Sequence, residues 1–243
     1  MIKIDRCEIC GTIEEGAIIA PYTTAIGKPE GQVDFGFATL PVSQVITYSQ
    51  CLSCGLVWQN PRMSDEELGR YYGDGHYRKG MNMIDTDRDE RERSERILND
   101  IDFTPTSHLD MGCSRGYLLQ MTHNLYNCNI QGVDSNPEYA VAGVPVVRTL
   151  SKVEGTFDLI TAIHYLEHVA SPWIELIFLS YRLQKRGKLI IEVPSKDSRG
   201  GPLRLAHTYF FEPWVLIHMA KMAGLQVLSL TKKEHTQIIL ENQ

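Results

Sequence analysis

Four of the six cysteines stand as two C-x-x-C-G pairs, Cys7 and Cys10 before Gly11, and Cys51 and Cys54 before Gly55. Two thiolates three positions apart can grip one side of a tetrahedral ion, and the glycine eases the tight turn that this grip needs. Two such knuckles complete a four-thiolate site, which constrains residues 1–60 more than any apolar pattern there does. Structural Zn2+ held by Cys7, Cys10, Cys51 and Cys54 is the expected occupant; a redox iron centre and unmetallated thiols are the alternatives. Between the knuckles, "AIIAPYTT" and "GFATLPVSQVITYSQ" read as short strands between Gly and Pro punctuation. The segment is expected to be a small zinc ribbon with a long insert, serving as a scaffold or also presenting a surface to substrate.

The balance of 24 Lys+Arg against 30 Asp+Glu gives a net charge of -6. A field of that sign offers nothing to phosphate backbones or anionic membranes, so neither nucleic acid nor membrane is an expected partner. No apolar run approaches the length of a membrane span, and "MIKIDRCEIC" lacks the apolar core of a signal peptide. A cytoplasmic location is the expectation.

Ser64 followed by Glu67 forms a capping box before a short helix ending near Tyr72. "GDGHY" reads as a mobile turn, and Tyr71, Tyr72 and Tyr77 as linker packing or a lid. Residues 85–100, "DTDRDERERSERILND", carry both signs at helical spacing and predict a solvated helix laced by i,i+4 pairs. The expected division is 1–80 for the ribbon and linker helix and 81–243 for a second domain.

From residue 107 short apolar strands alternate with helical stretches, the pattern of an open α/β sheet. "SHLDMGCSRGYLLQM" predicts a strand to Met111, a tight loop of Gly112, Cys113, Ser114, Arg115 and Gly116, and a helix from Tyr117. Backbone amides at such a helix start can approach a ligand closely. "NIQGVDSNPEYA" supplies a second strand ending in Asp134, placed to accept both hydroxyls of a ribose. "PVV" and "GTFDLITAI" are the next strands, "SPWIELIFLSYRLQK" a helix, "GKLIIEVP" a strand, "EPWVLIHMAKMAG" a helix, and "LQVLSL" and "TQIIL" a closing pair.

In this order residues 100–240 resemble a class I S-adenosylmethionine-dependent methyltransferase. The resemblance implies a Rossmann-like methyltransferase sheet with a terminal antiparallel strand pair, and S-adenosylmethionine as cofactor. Asp110, Gly112 and Gly116 match the family's D/E-x-G-x-G-x-G loop, with Cys113 and Ser114 inside it and Ser114 in place of the middle glycine. Asp134 matches the ribose acid, with Ser135 beside it, and Arg148, Thr149 and Leu150 fall where the family holds adenine. The four-cysteine module followed by "NPRMSDEELGRYY" resembles the subgroup that includes nucleotide-sugar C-methyltransferases, which implies a small-molecule acceptor, a nucleotide-linked sugar among the candidates. Members of that subgroup continue into a further C-terminal domain, so O- or N-methylation is expected here rather than C-methylation.

"HYLEH", residues 164–168, also fits the H-x-x-E-H pattern of a zinc peptidase family. A peptidase helix needs both histidines on one face, whereas here a strand runs directly into His164 and Pro172 follows eight residues later. In the methyltransferase resemblance the segment leaves the fourth strand beside the cofactor crevice. There Tyr165, Glu167 and His168 match a catalytic Y-x-E-H run, and His164 is expected on the cofactor. Quinone O-methyltransferases instead hold a divalent ion with E-x-x-E-H, where His164 replaces the first glutamate. His168 is the expected general base, with Glu167 orienting it and Tyr165 as a hydrogen-bonding partner; a capping or packing role is its alternative. His207 is a second base candidate, or a structural hydrogen-bonding group. The other function class open to the chain is a catalytically silent methyltransferase fold that docks a protein partner through its ribbon.

Overall fold

The computed structural model describes residues 2–13, 32–34, 39–41, 48–73, 83–195 and 207–243. The strand expected over 17–24, Tyr77 and most of the turn beside it lie outside the described residues. The N-terminal part contains β1 (Gln32–Asp34), β2 (Thr39–Pro41), β3 (Tyr48–Gln50) and β4 (Val57–Gln59), with β1 antiparallel to β2 and β3 antiparallel to β4. Next comes α1 (Asp65–Gly73), opened by the expected capping box. The Ser64 amide donates to Glu67 Oε2 at 2.8 Å and the Glu67 amide to Ser64 Oγ at 3.2 Å, which satisfies two donors the helix start would otherwise leave alone.

The following helix, α2 (Met83–Asn99), does show the expected outward pairing, as in Arg88 with Glu92. It is not simply a solvated face, however. Ile97 is fully buried, Asp87 pairs with Arg115 at 2.9 Å, Glu90 accepts from Ser114 Oγ at 2.8 Å, and Arg96 clasps Glu192 with two bonds of 2.7 Å. The charges on its inner side are matched by partners on another element, a kind of pairing that spacing within one helix does not reveal.

The rest of the chain forms β5 (Ser107–Met111), α3 (Tyr117–Tyr126), β6 (Asn129–Val133), β7 (Val146–Val147), β8 (Phe157–Ile163), α4 (Pro172–Arg182), β9 (Leu183–Pro194), β10 (Tyr209–Phe210), α5 (Pro213–Met222), β11 (Leu225–Lys232) and β12 (His235–Asn242). Seven of these strands make one sheet in the order β7-β6-β5-β8-β9-β12-β11, parallel up to β9 and closed by the antiparallel strands β12 and β11. The expected closing pair is thus present. The alternation of strands and helices lapses on either side of β7, where only single turns at Pro137–Tyr139 and Leu150–Lys152 occur. Pro137, Gly143 and Pro145 leave no run between β6 and β7 in which a longer helix could form.

Both sheet faces are covered, so the central strands are apolar almost throughout. Leu159 and Ile190 face Leu98 and Ile101 at the end of α2 and just beyond it, while Ile160, Leu189 and Ile191 pack with Leu176 and Leu179 of α4 and Leu216 and Met219 of α5. The period of two along each strand divides them between the faces. Charged or imidazole groups inside such strands are the exceptions: His108 on β5, Asp110 on β5 and Glu192 on β9 are all buried.

The cysteine-bearing part shares this core. β10 pairs antiparallel with β4, the Gln59 amide donates to the Thr208 carbonyl at 2.8 Å, and Cys7, Ile9, Cys51, Leu56 and Trp58 belong to the same apolar cluster as Tyr209 and Phe211. Gly55 sits against Trp214 of α5, where an added Cβ would lie 2.5 Å from the indole nitrogen. Among the described residues no helix is long and apolar enough to cross a membrane.

Candidate active site

The expected loop is built as a series of left-handed residues: Gly112 at φ 66°, Ser114 at φ 52° and Gly116 at φ 76°. Ser114 therefore adopts the conformation that a glycine in its place would take freely, and the substitution leaves the turn intact at some conformational cost. The amides of Gly112 and Cys113 donate to the Val133 carbonyl, and that of Ser114 to Asp134 Oδ2 at 2.9 Å. Asp134 Oδ1 accepts the Asn136 amide at 2.8 Å. A carboxylate offers about four lone-pair directions, so these two bonds leave acceptor capacity at Asp134.

Beside this loop lies an open cleft lined by Glu90 and Arg93 of α2, Asp110, Gly112, Cys113, Ser114 and neighbouring groups. Asp110 accepts from Thr161 Oγ1 at 2.6 Å. Burial pushes its pKa up to about 7, Thr161 works the other way, and the charges of Asp134 and Glu90 add to the rise. Two acids, Glu90 and Asp110, thus line the cleft together with Arg93, and Asp134 lies near enough to act on Asp110. Cys113 lines it too, but its thiol also fills the space above Gly132, and burial raises its pKa. Ser135 gives its carbonyl to Arg148, which also reaches Glu138 at 3.4 Å, so the segment carrying Arg148, Thr149 and Leu150 is anchored to the turn after Asp134.

HYLEH does not form a peptidase-like helix. His164, at φ 52°, leaves β8 and is followed by the single turn Leu166–His168. The two histidines turn to different neighbours, with Glu167 between them. His164 is not among the side chains lining the cleft: Nδ1 lies 3.2 Å from Glu167 Oε1, Nε2 lies 3.4 Å from Glu192 Oε1, and its ring meets that of His235. Burial lowers its pKa, but the nearby carboxylates of Glu167 and Glu192 outweigh this and raise it. His168 Nδ1 is 2.6 Å from the Tyr72 hydroxyl, Nε2 is 3.6 Å from Glu167 Oε1, and the ring stands edge-on to His207 at 4.9 Å. Burial would raise the pKa of Glu167, yet His168, His164 and His207 draw it down to about 2. Tyr165 packs on Gly112, where an added Cβ would meet its ring at 3.0 Å, and donates to Glu175 Oε2 at 3.1 Å.

The two halves are joined. The Asn136 side chain donates to the Tyr72 carbonyl, so contacts run from Asp134 through Asn136 and Tyr72 to His168. Sequence reading did not single out Asn136, Glu90, Arg96, Glu192 or His235. For Glu192 a signal existed, since an acid inside the apolar run "LIIEVP" must have a partner when buried.

The four cysteines converge without a disulfide: Sγ of Cys7 and Cys54, and of Cys10 and Cys51, are 3.5 Å apart, and all four lie within 4.8 Å of one another. Both knuckles have the same form. Gly11 and Gly55, at φ 70° and 83°, return their amides to the carbonyls of Cys7 and Cys51 at 2.9 Å.

A family model described as a methyltransferase domain matches residues 85–231, from α2 into β11. No curated protein matches the sequence. Among solved structures, the chain is similar to Burkholderia thailandensis 1,6-didemethyltoxoflavin-N1-methyltransferase, a complex with 1,6-didemethyltoxoflavin and S-adenosylhomocysteine (17% identity, TM-score 0.57, covering 80% of this chain and 98% of that one). It is also similar to a SAM-dependent methyltransferase from Aquifex aeolicus (15%, 0.53, 62% and 89%) and to one from Archaeoglobus fulgidus (16%, 0.52, 63% and 94%). At these identities the likeness to solved structures is one of fold. The matched region contains the left-handed loop, Asp134 and the His164–His168 segment together, and spans more than half of the sequence: the chain belongs to the methyltransferase-domain family.

Proposed function

We propose that the protein transfers the methyl group of S-adenosylmethionine to a small polar acceptor, with His168 as general base. The observation that carries this reading is the bond from the Ser114 amide to Asp134, which fixes a ribose-accepting carboxylate at the lip of the glycine loop. The fit to the donor is electrostatic as well as steric. The carboxylates of Asp134 and Glu90 raise the pKa of Asp110, and S-adenosylmethionine carries an ammonium and a sulfonium that would relieve this crowding. Gly112 and Gly116 present no Cβ, and a methyl at Gly116 would come within 2.8 Å of Val144.

When bound, the donor supplies an activated methyl on sulfur, ready for in-line displacement by an acceptor lone pair. The chain's task is then to remove the acceptor's proton. His168 is suited to receive it, because the ionised Glu167 beside Nε2 stabilises the imidazolium that results. Nδ1 faces the Tyr72 hydroxyl, which stands where an acceptor hydroxyl would bond. His207, edge-on to His168, and Glu167 are positioning groups in this reading. A nucleotide-linked sugar is the acceptor class favoured by the resemblance of the cysteine module and of Tyr165, Glu167 and His168 to the sugar methyltransferases.

Titration calorimetry with S-adenosylhomocysteine tests the donor site: the folded protein binds, and Asp134→Ala weakens binding at least ~10-fold through lost bonds to the ribose. Absence of binding by folded protein sinks the proposal.

We assign Zn2+ to Cys7, Cys10, Cys51 and Cys54. A tetrahedral ion with Zn–S near 2.3 Å needs sulfurs about 3.8 Å apart, and the observed spacing surrounds that value. Metal analysis is expected to find zinc bound to these thiolates, and a strong chelator to lower the melting temperature markedly, since ligation contributes folding free energy directly. An unchanged melt after complete removal would contradict the assignment.

A further inference from the structure

Three adjacent strand ends place side chains in one spot beside the donor cleft: His164 just after β8, Glu192 near the end of β9, and His235 at the start of β12. The backbone locks them in register, with the His164 amide donating to the Glu192 carbonyl at 2.8 Å and His235 opposite Pro194. Ligand atoms of the three residues lie within 4.8 Å of one another. The geometry points to a second metal site, in which His164 Nε2, Glu192 and His235 Nδ1 hold a divalent transition-metal ion distinct from the one at the cysteines.

Two buried atoms make the case. Among the described residues His164 Nε2 and His235 Nδ1 have no hydrogen-bond partner, although both belong to groups that ordinarily find one when buried. The contact of Nε2 with Glu192 Oε1, at 3.4 Å, is too poorly formed to serve. One cation placed among these atoms would satisfy both nitrogens and the carboxylate together.

The surroundings already have the form of a ligand-orienting shell. Glu167 Oε1 lies 3.2 Å from His164 Nδ1, and a proton held there leaves the Nε2 lone pair turned to Glu192 and His235. Arg96 occupies both oxygens of Glu192 from the other side and fixes the plane of its carboxylate, while leaving lone pairs for an ion. His164 itself is held at φ 52°, a conformation that costs a non-glycine residue energy and that here carries the imidazole into the cluster. Backbone strain alone would prove nothing; it coincides with two buried nitrogens lacking partners.

Two imidazoles and one carboxylate suit Zn2+, Co2+, Fe2+ or Mn2+ better than the oxygen-seeking Mg2+ or Ca2+. Three protein donors also leave coordination positions open, unlike the closed set of four thiolates. The rival arrangement is an imidazolium at His164 between Glu167 and Glu192. It leaves His235 Nδ1 without a partner.

The test is cobalt loading of the full chain, read by metal content after desalting and by visible absorption. The wild type is expected to retain about two Co2+ per chain: one with intense thiolate charge-transfer bands, and one adding only weak bands of nitrogen and oxygen ligation. His235→Ala and His164→Asn should each retain about one, with the thiolate bands unchanged. Asparagine tolerates the left-handed backbone at 164, so that variant removes the ligand without disturbing the turn. A wild type that holds only the thiolate-bound ion, or either variant that holds as much as the wild type, overturns the proposal. S-adenosylhomocysteine affinity is measured on the same samples, so loss of this site is read separately from loss of the donor site.

Discussion

Under the proposed function, the donor side and the acceptor side of this crevice are made by opposite means. On the donor side, Asp110, the loop from Gly112 to Gly116, Asp134 and Asn136 come from one strand-loop-helix-strand unit, and backbone amides do much of the work. On the acceptor side, Tyr72, the turn that carries Glu167 and His168, and His207 come from separate parts of the chain and meet through side chains. Their electrostatics also run in opposite directions. Asp110, with acids for neighbours, is pushed up to about 7, whereas Glu167, ringed by histidines, is drawn down to about 2. On one side carboxylates crowd one another, and on the other imidazoles surround a single carboxylate.

The sharpest way to break this comparison is to exchange its consequences. His168→Ala is expected to lower turnover by ~10²–10⁴-fold while leaving S-adenosylhomocysteine affinity unchanged, since general-base catalysis and donor binding belong to different sides. Radiolabelled methyl transfer and calorimetry on the same preparation decide it, and a parallel fall in both would join the two sides into one site.

A smaller effect separates the sides by pH. Asp110 holds a proton in the folded chain between its ordinary value of 3.8 and about 7, so its contribution to stability falls as pH rises through that window, by on the order of 4 kcal/mol. Glu167 and Glu192, both depressed to about 2, have the reverse sign. Their contribution is present above their ordinary value of 4.5 and is lost as pH falls towards 2. His108, held by burial down to about 3, contributes the opposite slope over much of the same window, so the Asp110 contribution is read as a difference between wild type and Asp110→Asn in urea unfolding across pH 3–8. The wild type's stability relative to the variant should fall as pH rises from about 4 to about 7, and a difference that does not change with pH would assign the proton elsewhere.

The smallest expected effect lies where the sides touch. A methyl on Gly112 would require φ near 66° of an alanine and meet Tyr165 at 3.0 Å. Gly112→Ala is expected to cost about 1–2 kcal/mol in stability, with weaker donor binding and, through the moved Tyr165 and its turn, slower transfer. Chemical denaturation together with steady-state kinetics measures both; a variant altered in binding alone would show that Tyr165 does not couple the halves.

The same contrast explains what could be read from the sequence. The glycine loop, Asp134, the strand order and the closing pair were legible because local spacing dictates them, and each has a short-range cause such as the left-handed turns at 112 and 116. The Ser64–Glu67 cap was legible for the same reason. The inner face of α2 was not, because the partners of Asp87, Glu90 and Arg96 lie on the loop and on β9. His164 was expected at the cofactor from its place after β8, but a left-handed backbone turns it towards Glu192 and His235. No periodicity foretells a backbone sign at one residue. The short turns beside β7 broke the alternation because prolines and a glycine crowd the connection before it.

The strand Tyr209–Phe210 extends the antiparallel ribbon of the cysteine-bearing part, and Thr208, immediately before it, donates through both amide and hydroxyl to the Glu167 carbonyl. A chimera that transplanted the first sixty residues onto another catalytic sheet would therefore arrive without its third strand. The recipient would have to supply one, spliced directly to its own proton-handling turn. The Gln59 amide bonds the Thr208 carbonyl and the Thr208 amide bonds the Glu167 carbonyl, so the ribbon and the turn that carries Glu167 share one hydrogen-bonded strand, and inheritance of one part obliges inheritance of the other.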